Sequence, residues 1–167
     1  VFMIDYSGFG FSQGKSKRKN VLSDAKDGLN YLLGRTDIKH RKLIMYGQSL
    51  GGHLSAVVGT QNQDKIDALV IEGAFSSHKD VANDRVPFLS RIFVREMYSA
   101  EKNIKNYHKP LMIVHSTEDK TIPYEHAERL NELANDPKEL YTIDGRHVRG
   151  PLLYGDSIAE KMNRMIK

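Results

Sequence analysis

Short apolar runs alternating with amphipathic stretches set the plan of this chain. Val1 to Ile4 reads as a buried strand, and the glycine-rich stretch Asp5 to Gly14 that follows it reads as a loop. Val21 to Leu33 has Ala25, Leu29, Leu32 and Leu33 on one side of a helix that Gly34 stops. Leu43 to Tyr46 is a second strand, and Leu50 to Gly59 a helix. Ala68 to Ile71 and Leu111 to His115 are further short strands, the latter entered through Pro110. Glu125 to Ala134 is a helix and Glu139 to Ile143 the last strand. Tyr154 to Ile166 closes as a helix with Ile158, Met162 and Met165 on its apolar side. Strands alternating with helices of this length predict βαβ units, hence an α/β fold with a doubly wound, mainly parallel sheet.

One stretch breaks the alternation. Between the third and fourth strands lies an insertion at about 74–109, containing Pro87, Phe88, Phe93 and a helical pattern around Leu89 to Tyr98. An insertion at the carboxyl ends of a parallel sheet lies where ligands bind, so it reads either as a small lid or as a crossover helix with a long entry loop. The expected organisation is a single domain, 1–167, carrying that insertion.

Composition narrows the chemistry more than the fold. The 167 residues, 40% hydrophobic and 28% charged, suffice for one core. Cysteine is absent, which excludes disulfides, thiolate zinc sites and a thiol nucleophile, and any nucleophile must be a hydroxyl or a carboxylate. The formal charge of +4 is spread along the chain, apart from a cluster at Lys15, Lys17, Arg18 and Lys19. No aromatic-interleaved basic face or reading motif accompanies that cluster, so no nucleic-acid partner is expected, while contact with an anionic membrane surface stays open. No apolar run approaches a spanning length and no signal-peptide layout opens the chain, which by itself says little about location. The lack of cysteine permits a reducing compartment, and a cytoplasmic location is the expectation.

Gly47-Gln48-Ser49-Leu50-Gly51 carries the strongest chemical signal. It lies between the strand at Leu43 to Tyr46 and the helix from Leu50, where a G-x-S-x-G pentapeptide makes a nucleophile elbow. A turn that sharp brings the backbone on either side of the serine together and favours glycine at both positions.

A serine hydroxyl needs a base to take its proton and an acid to orient that base, and in doubly wound hydrolases these follow later strands in the order acid, then histidine. Asp119 follows the strand ending at His115, with Glu118 as its neighbouring competitor, and His147 follows the strand ending at Ile143. Each alone reads more readily as an ordinary turn or surface residue. Ser49, Asp119 and His147 together, each just past a separate strand, predict a triad. The remaining histidines, His40, His53, His78, His108, His115 and His126, fit the order less well. No pair has H-E-x-x-H spacing, so neither a catalytic metal nor a cofactor is expected. Gly14-Lys15-Ser16 invites a phosphate-loop reading, but the glycine required five positions earlier falls on Phe9.

These motifs resemble those of the α/β-hydrolase superfamily, and in particular its small-lid esterase, thioesterase and acylpeptidase-like serine hydrolases. Asp5 to Gly10 with Ser12 and Gly14 is similar to the family's D-Y-R-G-Y-G-x-S-x-G loop, Gly47 to Gly52 to its G-x-S-x-G-G elbow, and Ala74 to Ser77 to the segment entering its lid. His115 to Pro123 resembles the H-G-x-x-D-x-x-V-P acid loop, with Ser116 replacing its usual glycine. The resemblance implies Ser49 as nucleophile, His147 as general base and then acid, Asp119 as the orienting carboxylate, and the Leu50 N–H as one oxyanion donor. It also implies that the family's first three strands, with the loop supplying the second donor, lie upstream of Val1, making these residues the carboxyl-terminal portion of a longer hydrolase.

The expected activity is hydrolysis of a small-molecule acyl ester, thioester or amide through an acyl-enzyme. A non-catalytic binding or scaffold protein on the same fold is the competing reading.

Overall fold

The computed structural model describes residues 1–38, 42–85 and 95–167. These divide into two compact units, Val1–Arg41 and Lys42–Lys167.

The first unit is a loop and a helix. Helix α1, Arg18–Leu33, buries Val21 and Leu29, two positions of the predicted apolar side. Asp24 on α1 accepts hydrogen bonds from the backbone N–H of Ser7 at 2.7 Å and from its hydroxyl at 3.0 Å, fixing the glycine-rich loop on the helix. Val1 to Ile4 does not form the expected strand. It makes no ladder, and Val1 and Met3 are 122% and 85% exposed. A β-branched, apolar sequence is strand only where a neighbouring strand takes up its N–H and C=O groups.

The second unit is built on a parallel sheet of order β1-β2-β3-β4, comprising β1 Ile44–Gln48, β2 Ala68–Glu72, β3 Leu111–Ser116 and β4 Lys138–Ile143. β2 and β3 are buried at every position, as central parallel strands covered on both faces must be. Their alternation sorts the core. Ala68, Val70, Met112 and Val114 pack with Ile143 against Ile158 and Met162 of helix α6, Gly150–Met165. Leu69, Ile71, Leu111 and Ile113, of opposite parity, are equally buried. Helix α2, Leu50–Gln61, contacts β1, β2 and helix α4, Ala100–Ile104, while helix α5, Glu125–Leu133, contacts α4, β3 and β4.

The insertion contributes helix α3, His78–Arg85, and α4. Pro87, Phe88, Phe93 and most of the helix expected around Leu89 to Tyr98 lie outside the described residues, and residues 95–98 are irregular. The last helix starts four residues earlier than its apolar pattern, at Gly150 with Pro151 in its first turn, and changes direction at Tyr154 (φ −132°). Among the described residues, no helix is long and apolar enough to cross a membrane.

Candidate active site

Parallel strands place everything that follows their carboxyl ends on one edge of the sheet, and the three predicted groups follow β1, β3 and β4. Ser49 stands between β1 and α2 with φ 52° and ψ −118°, a backbone conformation that a non-glycine residue holds only when its surroundings impose it. What imposes it is visible on both sides. The Ser49 N–H donates to the Glu72 carbonyl at 2.8 Å and the Ser49 carbonyl accepts from His53 N–H at 3.0 Å. At Gly47, a Cβ would lie 2.2 Å from the Gly51 carbonyl oxygen and 2.4 Å from the Ser55 hydroxyl, so the turn closes only on glycine. Gly47→Ala is therefore expected to destabilise the fold by about 3 kcal/mol, read as a lowered urea midpoint with an unchanged slope.

Leu50 opens α2, so its N–H belongs to the first turn, whose donors have no intrahelical acceptor. It stands beside the Ser49 side chain at the positive end of the helix.

Asp119 and His147 are brought together. His147 Nδ1 lies 2.6 Å from Asp119 Oδ2, a charge-assisted contact in which Nδ1–H donates to the carboxylate. The other oxygen, Oδ1, accepts from the N–H groups of Thr121 at 2.8 Å and Ile122 at 3.0 Å, which fixes the carboxylate plane. The Asp119 side chain is 1% exposed, against 18% for His147. His115, one turn of chain before Asp119, gives Nε2 to the Ile122 carbonyl at 3.0 Å, and burial holds its imidazole below the usual histidine range, in the neutral form. Glu118, the competitor in sequence, is exposed and accepts from Gly145 N–H at 2.9 Å instead. Ser116, at the position where glycine is usual, donates its hydroxyl to the Gly145 carbonyl and accepts from Glu118 N–H at 3.0 Å, so it ties the acid loop to the histidine loop.

The histidine and serine loops are held to each other through β2. A Cβ on Gly73 would lie 3.1 Å from His147 Cε1, so the imidazole packs on the residue next to the carbonyl that binds Ser49 N–H. Val148 takes φ 51°, unusual for a β-branched residue, and aims its carbonyl at Gln48 Nε2, 3.5 Å away.

Glu72 is the residue that sequence reasoning missed. Its carboxylate, at the end of β2 and 1% exposed, accepts from Gln48 Nε2 at 2.8 Å, from Gly150 N–H at 2.6 Å and from the Tyr46 hydroxyl. Burial, and then this bond, push the Tyr46 phenol above its ordinary value, so it remains a donor. One buried carboxylate thus joins the strand before Ser49 to the helix after His147. Its signal in the sequence was only an acidic residue ending an otherwise apolar strand, Ala-Leu-Val-Ile-Glu.

A cavity of about 830 Å³ opens beside His147, lined by Glu118, Lys120, Thr121, Arg146 and Arg149. Three cations against one carboxylate make its walls attractive to anionic groups.

The parallel sheet with this elbow at its carboxyl edge has the α/β-hydrolase fold. The profile of the prolyl oligopeptidase family matches residues 7–143, and the chain belongs to that family. It is 35% identical over 170 residues to a protein of Escherichia coli O157:H7 named YfhR and described as uncharacterized, covering 99% of this chain and 60% of that one. It is 31% identical over 144 residues to the α/β-hydrolase domain-containing protein WAV2 of Arabidopsis thaliana, covering 78% and 47%. The chain thus spans about half to three-fifths of the length of these relatives. Among solved structures, Est1E from Butyrivibrio proteoclasticus with bound ferulic acid superposes with a TM-score of 0.80 at 21% identity, over 97% of this chain and 75% of that one. The Pyrococcus furiosus esterase Pf2001 superposes with a TM-score of 0.75 at 19% identity, over 98% and 70%.

Proposed function

We propose that the protein is a serine hydrolase that cleaves a small-molecule acyl ester, thioester or amide through an acyl-enzyme at Ser49. The observation that carries this reading is the 2.6 Å contact between His147 Nδ1 and Asp119 Oδ2, set on the sheet edge that also carries the strained Ser49 turn. With Nδ1–H committed to the carboxylate, the imidazole keeps its lone pair on Nε2, the nitrogen a general base needs.

The step then runs in two halves. The Ser49 Oγ forms a bond to the acyl carbon as its proton passes to His147 Nε2, and the Leu50 N–H donates to the developing oxyanion. Collapse breaks the bond to the leaving group, which takes the proton from His147. Water gives a proton to the same nitrogen as its oxygen attacks the acyl-enzyme, and collapse returns that proton to Ser49 and frees the acid. Asp119 holds the ring through Nδ1–H and stabilises the imidazolium. The cationic cavity beside His147 suits substrates that carry negative charge near the scissile bond.

A fluorophosphonate probe tests the assignment directly. Wild type is expected to be labelled and Ser49→Ala to be silent, while p-nitrophenyl esters of graded chain length, with thioester and aminoacyl-amide substrates alongside, sort the substrate class. Labelling that survives the alanine change removes Ser49 from the role, and an unlabelled, inactive wild type favours a binding protein on the same fold.

A further inference from the structure

Three potential ligands, from α2, from the start of α3 and from the residues before α4, converge outside the groups used above. We propose that His53, His78 and Glu96 form a binding site for a divalent zinc-like cation that clamps the insertion to the helix behind Ser49.

One ligand atom from each of the three lies within 4.8 Å of the others. His53 comes from the first turns of α2, His78 begins α3, and Glu96 precedes α4, so the cluster joins three segments distant in sequence. All are sheltered. His53 is 0% exposed, and the side chains of His78 and Glu96 are 10% and 9% exposed.

The protonation pattern of His53 favours a cation. Its Nδ1 lies 2.8 Å from the Phe75 carbonyl, an acceptor only, so Nδ1 carries the hydrogen and Nε2 holds the lone pair. That Nε2 is buried and meets no hydrogen-bond partner at full bonding geometry, although the Tyr98 backbone lies near the ring. A buried acceptor left without a partner is costly, and a metal ion is a partner that uses such a lone pair. A carbonyl holding the opposite ring N–H is also how metal-bound imidazoles are oriented.

His78 and Glu96 supply the other two donors at nearly the right separation. His78 Nδ1 lies 3.1 Å from Glu96 Oε1. Two ligands at zinc-bond lengths on a tetrahedral ion stand about 3.3 Å apart, so a cation replaces the shared proton with little movement of either side chain. The second carboxylate oxygen stays with Lys79 N–H at 3.1 Å, which fixes the orientation of the group. The His53 donor, within 4.8 Å of both, closes on this pair to complete three protein ligands, with a fourth position for water. Two imidazoles and one carboxylate suit Zn²⁺, Co²⁺ or Ni²⁺ and not Ca²⁺ or Mg²⁺, which take oxygen ligands.

The competing account is packing alone, since His53 also stacks on Phe75 at 4.2 Å and meets His78 edge-on at 4.7 Å. Zinc titration separates the two. Protein stripped with a chelator and dialysed is titrated with Zn²⁺ by calorimetry, and with Co²⁺ by visible absorption. One ion per chain is expected at micromolar or tighter affinity, with the intense d–d bands of a low-coordinate site and an upward shift of the thermal midpoint. Glu96→Gln, which keeps an acceptor for Lys79 N–H, and His53→Phe, which keeps the stack on Phe75, are each expected to weaken binding at least tenfold. His108→Ala, at an exposed histidine elsewhere, is expected to leave it unchanged. Wild type that takes up no Zn²⁺, or Zn²⁺ held equally by folded Glu96→Gln and His53→Phe, overturns the proposal. Should His53→Phe fail to fold, Glu96→Gln alone decides between the same two outcomes.

Discussion

Ser49→Ala is expected to lower hydrolysis by a factor of about 10⁶, with His147→Ala costing nearly as much and the double variant no slower than either single one. In the proposed cycle nucleophile and base act as a unit, so removing either would remove the route through the acyl-enzyme and leave only what binding and the oxyanion donor supply. Asp119→Asn is expected to cost less, about 10⁴, because an amide can offer its N–H to Nδ1 and so favour the tautomer whose Nε2 is already protonated. Ser49→Ala leaves the strained φ of 52° in place, so its thermal midpoint should match wild type. Ser49→Gly relieves the strain and should be more stable by about 1 kcal/mol while equally inactive. Steady-state kinetics on the best ester, with melting curves for the same variants, checks the set. More than a tenth of wild-type turnover in Ser49→Ala defeats the mechanism.

Replacing Glu72 is expected to have the second largest effect, although its carboxylate serves neither as nucleophile nor as proton carrier in the proposed cycle. Glu72→Ala strands the buried Gly150 N–H, the Gln48 amide and the Tyr46 hydroxyl at once, each of which needs an acceptor or a new orientation. Leaving such groups unsatisfied costs about 1–3 kcal/mol apiece, so a total near 3 kcal/mol is expected after relaxation. Turnover should fall by about a hundredfold, because the histidine loop is positioned through Gly150 and a displacement of about 1 Å carries that penalty. Glu72→Gln retains one acceptor oxygen and should recover part of both losses. A positioning role predicts reduced kcat with KM near wild type, whereas a variant that loses stability but keeps full turnover per folded molecule shows that Glu72 only holds the fold.

Much of this was legible in the chain because the signals were redundant. β2 and β3 are built on the apolar runs Ala68 to Ile71 and Leu111 to Val114, as parallel central strands require, and their boundaries match the sequence reading to within a residue. Asp119 and His147 were legible from position alone, since a parallel sheet turns the order of strand ends into proximity. Val1 to Ile4 misled because apolar, β-branched content measures a wish to be covered and not the presence of a pairing strand. The early start of α6 was hidden because Gly150 and Pro151 look like breakers, while at a helix start proline loses nothing. Glu72 could not be read at all. Its burial is compensated by Gln48 and Gly150, and no local pattern announces donors supplied from 24 residues before and 78 after. The cluster of His53, His78 and Glu96 was missed similarly, since its members come from three elements and no short spacing marks them.

The bond between Gln48 and Val148 spans 100 residues, and that between Glu72 and Gly150 spans 78. Contacts so far apart along a chain are slow to form, because loop closure must be completed before they return anything. The elbow and its helix are local and can be assembled while β4 is still unplaced. A half-folded molecule would therefore display Ser49 before Asp119 and His147 have met, and any chemistry that needs all three would be the last property acquired on the way to the native state.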